Sequence, residues 1–134
     1  AHTRGPVIAS HSNARGACFH LRNLSDEMIR QLAERGGVTG INFCPSFLRE
    51  EEPAAKKAST MDMVRHMKYL RNVGGIDIIG LGTDFDGFSG ETDVPDTAHM
   101  QHLADVMSHE GFTDEEIEKV FSKNVLRVFR ECWK

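Results

Sequence analysis

The sequence predicts an α/β protein built on a parallel sheet, and three observations carry that expectation. Three apolar runs rich in β-branched residues, at residues 6–10, 38–44 and 76–83, read as buried strands. Apolar residues at helical spacing follow each of them. The order strand, helix, strand, helix, strand, helix, helix argues for parallel strands joined by right-handed crossovers.

The first strand, Pro6-Val7-Ile8-Ala9-Ser10, leads directly into His11. Ser25 then stands as an N-cap, with Asp26 and Glu27 in the first turn of a helix. Met28, Ile29, Leu32 and Ala33 give that helix an apolar face, and Gly36-Gly37 stops it. The second strand, VTGINFC, ends its pairing at Pro45. Residues 45–58 read as a polar, Glu/Lys-rich loop, of the length that is often functional. A helix starts near Ser59-Thr60, and Met61, Val64, Met67 and Leu70 recur along it at helical spacing. Its methionines read as packing rather than as a cofactor box. Gly74-Gly75 ends it, and the third strand runs into GTDFDG. Residues 88–95 read as loop, and Asp96 caps a helix that extends to about Ser108. The last helix has a capping box in Thr113 and Glu116, with Phe112 placed to staple Ile117.

Composition excludes some function classes. The chain of 134 residues carries a net charge of −4 and is 40% hydrophobic. No Lys/Arg stripe is interleaved with aromatics, so nucleic acid is not an expected partner. No apolar run approaches the roughly 18 residues of a membrane span, and no signal peptide opens the sequence. Cys18, Cys44 and Cys132 form no CxxC pair. They read as reduced, mostly buried thiols, which points to a cytoplasmic setting.

The chemistry gathers at the strand ends, where α/β proteins place their sites. His11 can be a zinc ligand or a histidine that caps its strand through hydrogen bonds. Ser12 is a weaker candidate, because no G-x-S-x-G elbow surrounds it. Arg22, in the following loop, can grip a carboxylate with its bidentate fork or form an ordinary loop ion pair. Asp84 can serve as general acid/base near a metal. Asp84 and Asp86 together also fit a phosphoryl-transfer pair, or a turn in which both acids bond backbone amides. A calcium loop fits poorly, since Phe88 stands where a third oxygen ligand is needed. His66, His99, His102 and His109 lie on expected helices without HExxH context and read as surface histidines.

In combination, PVIASHSNARGACFHLRNLSDE, GVTGINFCPSFL, IDIIGLGTDFDG and FTDEEIEKVFSKNVLRVF resemble the membrane (renal-type) dipeptidase family of zinc peptidases. The order and spacing are similar to that family's C-terminal part, over nearly the whole chain. The resemblance implies the C-terminal three βα units of a metal-dependent (β/α)8 (TIM) barrel, with parallel strands and flanking helices, residues 1–134 being a partial domain. It implies two zinc ions sharing a bridging carboxylate, with a bridging water or hydroxide attacking a dipeptide's carbonyl. His11 then corresponds to a ligand of one zinc. Arg22 corresponds to the arginine that holds the dipeptide's C-terminal carboxylate. Asp84 corresponds to the acid that handles the proton for the leaving amine. No role is implied for Asp86.

The family's His-x-Asp pair, bridging glutamate and second histidine have no counterpart here, and His2 lies too close to His11 to replace the histidine. Catalytic zinc normally keeps about three protein ligands. The isolated chain is therefore expected to be inactive, and to oligomerise or to contact a missing N-terminal part. Two other readings stand beside this one. One is a non-catalytic assembly module derived from the barrel; the other is a metal-dependent phosphohydrolase using Asp84 and Asp86.

Overall fold

Each apolar run forms a strand shorter than its pattern. The computed structural model describes residues 5–51 and 53–133; His2 lies outside them. Strand β1 (Ile8–Ala9), helix α1 (Asp26–Glu34), β2 (Val38–Ile41), α2 (Pro45–Leu48), β3 (Lys57–Ala58) and α3 (Thr60–Gly74) make the first half. Then come β4 (Ile79–Leu81), β5 (Glu91–Thr92), α4 (Met100–His109), α5 (Asp114–Glu118) and α6 (Asn124–Cys132). The main sheet has the order β1-β2-β4 with both pairings parallel, as the βα alternation predicts. Ile8 faces Val38, and Thr39 faces Ile79, so all three strands point their C-terminal ends the same way.

The central strand β2 is buried at all four residues. Between the sheet and its helices lies a core of Ile29, Ile41, Phe43, Met63, Met67, Leu70, Ile79, Leu103 and Met107. Burial of such side chains contributes about 2 kcal/mol each and is the main force holding helices to sheet. The sheet's β1 edge is less covered: Val7 and Ile8 remain 37% and 40% exposed.

Local signals explain the helix boundaries. Ser25 Oγ accepts from the Met28 amide. Gly36, at φ 65°, ends α1 in a Schellman turn, with its amide bonded to the Ala33 carbonyl and the Gly37 amide to that of Leu32. Thr113 and Glu116 form the expected reciprocal capping box, and Ser59 and Asp62 form another.

Several expectations need correction. Residues 45–58 are not simply loop. Pro45 opens the short helix α2, where its missing N–H costs nothing. Lys57 and Ala58 pair in parallel with Glu91 and Thr92, in a second sheet that also interrupts the expected loop at 88–95. The third strand starts late because Ile76–Ile78 form a 3-10 turn. The last helix is interrupted by a π turn at Lys119–Lys123. Just beyond it, Asn124 Nδ2 donates to the carbonyls of Ile76 and Ile79, which fixes the approach to β4. His66 is fully buried rather than on the surface. Cys18 and Cys44 are buried, but Cys132 is exposed.

Candidate active site

The C-terminal ends of β1, β2 and β4 converge on Ser10. A Cβ at Gly82 would lie 2.0 Å from the Ser10 carbonyl oxygen and 3.0 Å from the His11 Cα. A Cβ at Gly40 would lie 2.3 Å from the same oxygen. Only glycine permits that backbone approach. The close fit brings the segment bearing His11 against the segment bearing Asp84. These two residues therefore sit at the same end of the sheet.

His11 is held on both ring nitrogens. Ser10 Oγ lies 2.6 Å from Nδ1, and Arg22 lies 3.2 Å from Nε2. A guanidinium only donates, so Nε2 accepts and Nδ1–H donates to Ser10. In that tautomer the Nε2 lone pair meets the Arg22 guanidinium, and an unprotonated nitrogen is what a metal ligand requires.

The loop that carries Arg22 closes on itself. Arg15 N–H donates to the Leu24 carbonyl and Leu24 N–H to that of Asn13. The Arg15 guanidinium donates to the carbonyls of Leu21 and Asn23. Buried Asn23 donates from Nδ2 to the carbonyls of Cys18 and Phe47. Arg22 thus stands on a fixed base while its side chain remains exposed, 5.6 Å over the Phe47 ring. His20 also packs against that ring, with centroids 4.5 Å apart and the planes tilted by 47°.

Asp84 and Asp86 both adopt the left-handed conformation, at φ 59° and 66°. Aspartate is one of the few side chains that tolerate it. A turn closes here through the backbone, the Gly87 amide bonding the Asp84 carbonyl at 2.9 Å. The Asp84 carboxylate, however, faces a side chain: Asn42 Nδ2 donates to Oδ2 at 3.2 Å. Asn42 in turn exchanges two bonds with Asn13, 2.7 Å from its amide to Oδ1 and 2.9 Å from Nδ2 to its carbonyl. Sequence reasoning missed both asparagines.

His66 supports the site from below. The Ala14 amide donates to Nδ1 at 3.2 Å, so Nε2–H donates to the Leu48 carbonyl at 3.1 Å. Burial lowers its pKa to about 4, so the ring is neutral at ordinary pH. Burial, with the nearby Glu50 charge, also pushes the Cys18 thiol up from its ordinary range. His99 and His102 are exposed and pair with Asp96 and Asp93. They take no part in the sheet-end cluster.

The donor set fits a metal only in part. Among the described residues, no three His, Cys, Asp or Glu side chains converge as a metal site would require. At the sheet end, His11 Nε2 offers a lone pair. The described residues therefore fit one ligand of a metal centre and not a whole one.

Comparisons with known proteins give the family and the fold. The membrane dipeptidase family (peptidase family M19) matches residues 1–133. The chain belongs to this family. A dipeptidase of Claviceps purpurea is 35% identical over 127 residues, covering 94% of this chain and 29% of its own length. An uncharacterized protein of Klebsiella pneumoniae is 35% identical over 132 residues, covering 98% of this chain and 49% of its own. The crystal structure of a Rhodobacter sphaeroides metallopeptidase, liganded with a phosphinate mimic of the dipeptide L-Ala-D-Ala, superposes with a TM-score of 0.89 at 29% identity. That match covers 96% of this chain and 37% of the other. This membrane dipeptidase family chain thus spans half or less of the length of these relatives, and its three βα units make a partial barrel of the family's (β/α)8 type. No helix among the described residues is long and apolar enough to cross a membrane.

Proposed function

We propose that this chain forms one side of a zinc-dependent dipeptidase site and that hydrolysis of dipeptides belongs to the complete barrel. The observation that carries the reading is the placement of His11, Arg22 and Asp84 at one sheet end, in a chain whose family is that of metallo-dipeptidases.

In this reading His11 Nε2 would hold one metal ion, and the other ligands would come from parts of the barrel other than the described residues. A bound zinc would polarise the scissile carbonyl and activate water. The chain's own residues do the rest. Arg22 turns its guanidinium to the substrate's C-terminal carboxylate and fixes the dipeptide's register. Asp84, at the mouth of β4, passes a proton to the leaving amine. The exposed β1 edge at Val7 and Ile8 is where the missing barrel strands, or a second copy, would pair. Family membership favours peptide hydrolysis over phosphoryl chemistry at Asp84 and Asp86.

The test compares a dipeptide with its C-terminal amide, in a protein of the relatives' length that contains this segment. Arg22→Ala should raise KM for the free carboxylate by at least about ten-fold and leave the amide nearly unaffected, because the lost contact is a charge-assisted fork. Equal losses for both substrates would remove Arg22 from this role.

A further inference from the structure

We propose that Asn42 is the positioning residue for the Asp84 carboxylate, and that Asn13 ties this positioning to the loop that bears His11. The inference rests on the functional reading above for its kinetic meaning, but its structural content stands on hydrogen-bond polarity alone.

The polarity is unambiguous at each step. The Cys44 backbone N–H can only donate, and it lies 2.8 Å from Asn42 Oδ1. That assigns the Asn42 amide, so its NH2 end is the one that meets Asp84 Oδ2. The Asn42 backbone N–H likewise assigns Asn13, whose Oδ1 accepts and whose Nδ2 donates to the Asn42 carbonyl. Both asparagines are 0% exposed. Burying an amide is costly unless its bonds are made, and here the geometry makes them. Asn42 therefore has one stable orientation and presents a donor at a fixed point.

Asp84 needs such a point. It stands half-exposed at the mouth of β4, on a left-handed backbone. Its other oxygen, Oδ1, lies 2.2 Å from where a Cβ on Gly87 would stand. Oδ1 thus lies beside Gly87, where no side chain crowds it, and Oδ2 accepts from Asn42. The Asn42 donor sets the carboxylate before substrate arrives, which is what efficient proton transfer requires. Asn13 lies two residues after His11 and clamps the backbone of Asn42. The loop with the candidate ligand and the loop with the candidate acid are thereby spaced by one pair of amides.

A plain capping role for Asn42, through the Cys44 amide alone, makes a different prediction. Asn42→Asp keeps an acceptor for Cys44 but turns an oxygen toward Asp84. In a protein of the relatives' length carrying this segment, Asn42→Asp should fold, retain its metal, and lose kcat by about 30-fold with KM within about three-fold. Its pH–rate profile should also change, because two carboxylates then share a proton site. Wild-type kcat and an unchanged profile would leave only the capping role and overturn the proposal. The second arm needs no activity and uses the 134-residue chain. Asp84→Gly, which removes the carboxylate without straining a positive φ, should shift the Asn42 side-chain NH2 signals in a 15N–1H spectrum and leave those of Asn23 in place. An unmoved Asn42 signal overturns the relay. Absence of dipeptidase activity in the wild-type longer protein would overturn the functional reading, and the NMR arm would then decide the relay on its own.

Discussion

The Arg22 guanidinium stands 3.2 Å from His11 Nε2, so the side chain assigned to the substrate carboxylate covers the lone pair assigned to the metal. The two roles compete for one position. A metal held by His11 Nε2 would displace the Arg22 guanidinium, which would then be free to take a carboxylate. Loss of the arginine should therefore help the metal. So exposed a contact is worth about 1 kcal/mol, or about five-fold in affinity. A zinc titration of the 134-residue chain, followed at the His11 imidazole, should show Arg22→Ala binding about five-fold tighter than wild type. Weaker binding would mean that Arg22 supports the ligand rather than covering it.

His66 makes stability depend on pH. Its pKa is near 4 in the folded chain, against 6.5 for an ordinary histidine. Between those values the unfolded chain binds more protons, so folding stability is fully present above about 6.5 and declines as pH falls toward 4. The loss over that window is on the order of 3 kcal/mol. Urea denaturation across the same window, starting from neutral pH, measures it. His66→Gln should start less stable, because it disturbs the bonds to Ala14 and Leu48, but should show a shallower acid slope. An equally steep slope would assign the acid sensitivity to other groups.

Gly82 sets how closely β4 approaches the His11 segment. Gly82→Ala places a methyl 2.0 Å from the Ser10 carbonyl oxygen, which is backbone and cannot rotate away. Overpacking of this kind costs about 3 kcal/mol. Gly5→Ala is the control, since among the described residues no atom beyond its chain neighbours lies within 4 Å of a Cβ there. Thermal unfolding should show a marked loss for the first and almost none for the second. Equal melting temperatures would contradict the close convergence of the strand ends.

Asp84→Asn separates chemistry from backbone strain, because asparagine also tolerates the left-handed conformation. The variant should melt within about 2 °C of wild type. In a protein of the relatives' length, kcat should fall about 100-fold with KM nearly unchanged, since an amide cannot pass a proton. A fall in KM-governed binding alone would make Asp84 a binding group.

Much of this arrangement was legible from the residues. His11 and Asp84 each follow an apolar run, and a parallel sheet must then bring them to the same end. Ser25 and the Thr113–Glu116 box marked two helix starts by local chemistry that the structure repeats. What escaped has physical causes. Asn13 and Asn42 bond across 29 residues, and nothing in the local spacing of either announces that contact. Strands β3 and β5 have two residues each, too few for any periodicity. The π turn sits next to Asn124, whose bonds reach back to Ile76 and Ile79 across 48 and 45 residues, a contact that local spacing does not announce. His66 did carry a readable signal. It lies three residues after Met63 and four before Leu70, on the apolar stripe of its own helix, and that position argues for burial.

Dipeptide turnover with added zinc, measured side by side on the 134-residue chain and on a protein of the relatives' length containing it, tests the central claim most directly. The account predicts that the chain alone is no faster than buffer, that the longer protein is active, and that His11→Ala abolishes that activity with loss of bound metal. Robust turnover by the chain alone, abolished by His11→Ala, would contradict the account, because a complete metal site would then exist without the rest of the barrel.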